Sequence, residues 1–331
     1  MKALVTGATG FIGRYLVAEL LQRGHAVRIL ARTPERVASL RAPGLEVVVG
    51  DVTNPASLAG IALGMDVVFH LASAMSEHDP AFDAVDVQGT QYLLSEAERS
   101  QVRRFVYPGT LASYRLADTR DGVIIDESSP FDDTGLLGGY ARSKAQAEEA
   151  VLAAQRRGKL ECVIIRLGWT CGVGAAVFPA HVCRVVKPNL FLMFGDGSLQ
   201  LPFTYIDNAV EALILAATVP DIAGESFNII DDGALTQQQY MNLYVSATGT
   251  SPRVIKLPRA AYQLLGAAAE MAAALRRKEP TTTRYRVRAR LRRARWDCSK
   301  AHRLLRWQPR VPLRAGLEQI FKAHAGTGPA A

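Results

Sequence analysis

Cysteine is scarce, with four in 331 residues at positions 162, 171, 183 and 298. They show neither close metal-ligand spacing nor the context of a small secreted domain, so free thiols are expected and neither a disulfide nor a metal site is assigned. Aromatic residues make up only 7% of the chain, and no eighteen-residue uncharged apolar run exists to cross a bilayer. The chain runs from Met1 straight into the apolar Ala3, Leu4 and Val5 without the basic, apolar and cleavage regions of a signal peptide, from which a cytoplasmic location is expected. There is no internal repeat, and only one biased segment, rich in arginine.

What is present is ordinary for a soluble enzyme: 49% hydrophobic and 21% charged residues. The net charge of +8 comes largely from residues 276–295, which match no nucleic-acid-binding motif, so nucleic acid is not expected as a partner. Short apolar runs at 3–6, 27–30, 47–49, 67–70, 105–107 and 162–167 read as buried strands. Helix-length segments at 11–23, 56–62, 81–100 and 136–157 separate them. Right-handed βαβ crossovers assemble such a pattern into an α/β, doubly wound parallel sheet, the Rossmann fold. After residue 170 the alternation turns irregular and rich in Gly and Pro. The expected organisation is a dinucleotide-binding domain over 1–170, a smaller, mixed substrate-binding part with returning Rossmann elements over 171–324, and a flexible tail over 325–331.

The first strand closes on Thr6-Gly7-Ala8-Thr9-Gly10-Phe11-Ile12-Gly13, where Gly7, Gly10 and Gly13 would let backbone amides and a helix N-terminus hold a pyrophosphate. Their GxxGxxG spacing differs from the GxGxxG dinucleotide fingerprint. The second strand ends on Arg32 instead of the acidic residue that would bind a ribose 2′-hydroxyl, which favours NADP, with NAD the alternative and Arg36 a second candidate contact. Asp51 and Val52 are expected beside the adenine, and Leu71, Ala72 and Ser73 along the cofactor groove.

Tyr140 and Lys144 lie four apart in a helical segment and so share one face. A lysine ammonium close to a phenol favours the phenolate, which would make Tyr140 a general acid/base; Lys144 can also bond the nicotinamide ribose. Thr110, at the carboxyl end of the fifth strand, could hold a substrate oxygen or simply bond its own turn.

Taken in order, TGATGFIG, Asp51-Val52, His70-Leu71-Ala72-Ser73, Val106-Tyr107-Pro108-Gly109-Thr110 and Tyr140-Ala141-Arg142-Ser143-Lys144 resemble the extended short-chain dehydrogenases/reductases. Arg166-Leu167-Gly168, Phe203 to Asp207, Gly224 to Asn228, and Asp297 to Pro309 extend the resemblance over nearly the whole chain. The resemblance implies that Thr110, Tyr140 and Lys144 are the catalytic set. It adds Thr9, Phe11, Ile12, Leu167 and Gly168 to the cofactor contacts, and a homodimer is common in such proteins. Three positions depart from the family pattern: Asp86 opens the usual Asn-x-x-Gly-Thr motif, Leu167 stands in Arg-Pro-Gly, and Gly109-Thr110 replaces Ser-Ser.

Nucleotide-sugar members carry an arginine and an asparagine where this chain has Leu201 and Trp169. A diphosphate would lack its cation there, so a more apolar small molecule is expected, contacted by Thr110, Leu111, Trp169 and Leu201. The C-terminal part resembles 3β-hydroxysteroid dehydrogenase and dihydroflavonol reductase-like branches, which points to a carbonyl/alcohol oxidoreductase. A nucleotide-sugar epimerase or dehydratase that retains its cofactor, and a catalytically silent NADP-binding scaffold, are the alternatives. Residues 258–295, with Leu264, Ala268, Met271 and Leu275 at helical spacing before the arginines, could rest on an anionic membrane, or could cap the substrate pocket with a solvated basic face.

Overall fold

The computed structural model describes residues 1–33, 35, 37, 42–74, 82–132, 134–187, 189–277, 280 and 282–326; Arg36 and residues 327–331 lie outside the described residues. Seven parallel strands form the central sheet: β1 (Lys2–Thr6), β2 (Ala26–Ala31), β3 (Leu45–Val49), β4 (Val67–His70), β5 (Arg104–Thr110), β6 (Glu161–Leu167) and β7 (Ser226–Ile229). Their spatial order is β7-β6-β5-β4-β1-β2-β3. β1 pairs with β2 on one side and β4 on the other, so the winding reverses there, and a crevice opens at the carboxyl ends of these strands.

Helices cover both faces, which is why the central strands are apolar throughout and do not alternate with polar residues. Successive side chains still point to opposite faces: Val106 joins the core under α1 (Phe11–Gln22) and α4 (Ile206–Thr218), while Phe105 and Tyr107 join the core under α2 (Gly89–Arg99) and α3 (Gly139–Arg156). On α1 the buried positions Gly13, Leu16, Val17 and Leu20 recur at three- and four-residue steps, the stripe that seats it on the sheet. Each large apolar side chain so buried contributes about 1.5–3 kcal/mol.

Three expected helices have different limits. Residues 56–62 form only one 3-10 turn, Pro55–Leu58, opened by the Asn54 side chain accepting from the Ala56 amide; Gly60, at φ +75°, cannot continue a helix. The stretch before α2 is π-wound over Asp83–Gln88. α3 begins at Gly139 because Gly138 stands at φ +112°, closed to a right-handed helix.

The C-terminal half returns to the sheet through α4 and β7. It also supplies α5 (Gln237–Thr248), a three-stranded sheet of Arg184–Lys187, Leu190–Phe194 and Arg253–Leu257, α6 (Arg259–Leu275) and α7 (Arg284–Arg290). α8 (Leu313–Gly326) runs two residues into the expected tail, so Ala325 and Gly326 are helical. Among the described residues no helix is long and apolar enough to cross a membrane. On α6 only Tyr262 and Gly266 are buried, and Leu264, Met271 and Leu275 point outward.

Candidate active site

The glycine-rich turn between β1 and α1 is a bare backbone surface that side chains could not form. Gly7 sits at φ +70°, and a Cβ there would lie 2.5 Å from the Leu71 carbonyl carbon. At Gly13 a Cβ would lie 2.2 Å from the Gly7 oxygen, so only glycine lets α1 start hard against the turn. Gly10 caps α1 with no side-chain bond and donates its own amide to the Gly7 carbonyl at 2.9 Å. The opening amides of α1 have no partner within the helix and are available to an anion. Phe11, Ile12, Leu71 and Ser73 line the same cleft, whereas Thr9 is exposed on the turn.

A chain of hydrogen bonds fixes this turn to its neighbours. The Thr90 hydroxyl donates to the Asp86 carbonyl, so it must accept from His70 Nε2 at 3.0 Å; His70 Nδ1 is then bare and accepts from the Thr6 hydroxyl at 2.7 Å. Thr6 in turn accepts from the Ala72 amide at 3.3 Å. This direction requires a neutral imidazole, and burial, with the charge of Lys144 acting in the same sense, holds His70 down to about 3. His70 is therefore a structural link between β1, β4 and α2.

At the tips of β2 and β3, Arg32 is exposed with Nη1 4.0 Å from Asp51 Oδ2, and Asp51 Oδ1 accepts from the Thr53 amide and hydroxyl at 2.9 Å. Val52 is buried against Gly89, where a Cβ would approach it to 3.0 Å.

Thr110, Tyr140 and Lys144 meet on one cleft of about 910 Å³ that also takes in the glycine turn. Thr110 ends β5; its Oγ1 accepts from the Ala112 amide at 3.2 Å, and the residue lines the same cleft as Tyr140, so it belongs to both the turn and the site. Tyr140 is the second residue of α3 and lies half-buried on the cleft wall. Lys144, one turn further, is buried, donates to the Pro108 carbonyl at 2.9 Å, and stands 4.3 Å over the Tyr107 ring.

The electrostatics differ from the expectation that Lys144 would lower the phenol. Burial holds Tyr140 above its ordinary value, opposed by the Thr110 hydroxyl and reinforced by the negative charge of Asp86. Lys144 is itself lowered to about 8 by burial, with Asp86 and Glu148 resisting. The buried Asp86, raised by desolvation, accepts a long bond from Ser143 at 3.4 Å, and among the described residues its Oδ1 has no hydrogen-bond partner. The aspartate where the family pattern has asparagine was the sequence's sign that this position is unusual.

Leu167, Gly168 and Trp169 leave β6 along the cleft. A Cβ at Gly168 would lie 2.4 Å from the Pro202 oxygen, so the two segments can touch only through glycine. Trp169 stands edge-on to His181, with centroids 3.8 Å apart, and Leu111 lines the wall between Thr110 and Ala112. Leu201 does not reach the cavity. In the two-residue strand Gln200–Leu201 successive side chains oppose, so Gln200 faces the cleft while Leu201 is fully buried in the core.

The arginine run is not wholly a solvated face either. Arg286, Arg290 and Arg292 line the cleft, brought there by α7 packing against α6. A run of like charge reads as a solvated surface in sequence, and only the packing of α7 separates these three from Arg284 and Arg288, which are exposed.

The model of the NAD dependent epimerase/dehydratase family matches residues 3–229. The 4-hydroxy-2-methyl-3-oxo-4-farnesyl-3,4-dihydroquinoline-1-oxide ketoreductase of Stigmatella aurantiaca is 29% identical, across 99% of this chain and 98% of its own. The 2-alkyl-3-oxoalkanoate reductase of Stenotrophomonas maltophilia is also 29% identical, across 98% and 100%. A 3 beta-hydroxysteroid dehydrogenase/Delta 5-->4-isomerase of Mycobacterium tuberculosis is 32% identical, across 75% and 70%. Among solved structures, UDP-glucuronic acid 4-epimerase from Bacillus cereus, in complex with UDP-glucuronic acid and NAD, shares the fold with a TM-score of 0.76 at 22% identity, covering 99% of this chain and 100% of that one. With its glycine turn, parallel sheet and these relatives, the chain belongs to the NAD dependent epimerase/dehydratase family and is an NAD(P)-dependent enzyme of the short-chain dehydrogenase/reductase type.

Proposed function

We propose that this protein is an NADP-dependent ketoreductase, interconverting the carbonyl and alcohol of a relatively apolar small molecule. The observation that carries the proposal is the meeting of Thr110, Tyr140 and Lys144 on the wall of the cleft that begins at the glycine turn, with Lys144 one helical turn from Tyr140. Gly7, Gly10 and Gly13 leave backbone where side chains would collide, which suits a pyrophosphate, and Arg32 offers its charge to a 2′-phosphate. When bound, the reduced nicotinamide supplies the hydride that adds to the carbonyl carbon. Tyr140, held protonated by burial, gives its phenolic proton to the carbonyl oxygen, and Thr110 donates a second hydrogen bond to that oxygen. Lys144 bonds the nicotinamide ribose and supplies positive charge beside the phenolate that forms. The named ketone reductases among the relatives support this reading.

Tyr140→Phe removes only the proton donor. It is expected to lower turnover by about 100-fold or more while leaving NADPH affinity, read by cofactor fluorescence, nearly unchanged. Full turnover by the variant contradicts the assignment.

A nucleotide-sugar epimerase or dehydratase is the second reading, favoured by the arginines on the cleft wall. Trp169, where nucleotide-sugar members carry an asparagine, weighs against it.

A further inference from the structure

Four arginines reach the cleft, and three of them have partners in the protein. Arg142 lies with Nη2 3.7 Å from Asp83 Oδ1. Arg286 donates to the carbonyls of Leu136 at 3.2 Å and Pro280 at 3.1 Å. Arg292 donates to the carbonyls of Leu116 at 3.3 Å and Ala117 at 3.2 Å, and to Asp121 at 3.4 Å. Arg290 differs: its Nη1 donates to the Tyr262 phenol at 2.7 Å, and among the described residues it has no carboxylate partner. Tyr262 is buried and stacked on Phe194, centroids 4.1 Å apart, in an apolar cluster with Val287 and Leu291, so the guanidinium is held from behind by a rigid support. Of five donors, one is used.

The cleft that Arg290 lines is also lined by Trp169, His181, Leu199 and Ala289. None carries a compensating negative charge. Arg290 and burial together keep His181 neutral, down to about 3, so the imidazole adds no second cation near neutral pH. A half-desolvated guanidinium facing an apolar cavity is satisfied best by a planar anion that accepts two parallel bonds. One uncommitted guanidinium matches a single carboxylate; a diphosphate would need a second, and Arg142, Arg286 and Arg292 each have a partner already.

We infer that Arg290 is the anchor for a carboxylate on the substrate, so that the cleft takes an oxo acid with an apolar chain. The inference rests on the ketoreductase reading and specifies its substrate class; it corrects the expectation, drawn partly from Leu201, that the substrate carries little charge. A β-oxo acid of the kind named for the Stenotrophomonas maltophilia relative has this chemistry.

The test measures binding and oxidation of 3-hydroxyoctanoate and of its methyl ester, each with NADP⁺, by the full-length wild type, Arg290→Gln and Arg290→Lys. The wild type is expected to bind the acid about 10- to 100-fold more tightly than the ester. Arg290→Gln loses that preference. Arg290→Lys, which keeps the charge without the fork, retains part of it and serves as a folded comparison. Equal affinity for acid and ester in the wild type, a preference that survives Arg290→Gln, or binding of neither compound overturns the anchor. Acid preference without hydride transfer to NADP⁺ overturns the ketoreductase reading and leaves the anchor standing; hydride transfer without acid preference does the opposite.

Discussion

Lys144 bonds the Pro108 carbonyl and leans over the Tyr107 ring, while Tyr140 is raised by burial and by the negative charge of Asp86. The four-residue spacing of Tyr140 and Lys144 was readable in the sequence, because a helix puts such residues on one face whatever surrounds it. Their environment was not, since the burial that raises one group and lowers the other depends on elements far away in the chain. Leu201 shows the same limit, its direction set by strand pairing with Leu235. With Lys144 near 8, reductive kcat/KM is expected to hold at lower pH and to fall as pH rises through that value and the ammonium is lost. Asp86→Asn removes a charge that raises Lys144, so the midpoint of this fall should move to lower pH by about one pH unit. An unmoved midpoint contradicts the coupling. At the cofactor end, Arg32→Ala is expected to weaken NADPH by about tenfold or more and NADH little, read as Kd; equal effects on both would refute the 2′-phosphate role.

Among the elements, the strands of the first half were the most legible, as short apolar runs bounded by turn residues; each was found within two residues of its expected limits except β5, which runs three residues further, to Thr110. Local signals also mark the ends of α3 and of the Pro55–Leu58 turn, where Gly138 and Gly60 take positive φ. The π-wound Asp83–Gln88 and the turning of α7 toward the cleft left no such signal, because both are set by packing between elements. The tie between β6 and α3 belongs to this scale as well. Arg166 makes a buried ion pair with Glu148 and donates to the Tyr114 hydroxyl at 2.7 Å, which bonds Asn228 of β7 at 2.8 Å. Glu148→Ala leaves Arg166 charged, buried and without its carboxylate, and is expected to cost about 3–5 kcal/mol of unfolding free energy in a denaturant titration. A loss under about 1 kcal/mol would show that the pair does not hold these elements together.

For the whole molecule, the cleft draws on both halves of the chain. The glycine turn, Thr110, Tyr140 and Lys144 come from the first, and Trp169, His181, Gln200 and the α7 arginines from the second. The second half was legible only in outline, since its role follows from the return of β7 to the sheet and of α7, packed on α6, to the cleft. Whether this assembly transfers hydride to a carbonyl with net consumption of cofactor is decided by incubating the protein with NADPH and a panel of ketones and nucleotide sugars. NADPH oxidation and product mass are followed together. One NADPH is expected to be consumed for each carbonyl reduced, with a product two mass units heavier than the ketone and no change in the sugars. Conversion of a nucleotide sugar with no net loss of NADPH would contradict this expectation.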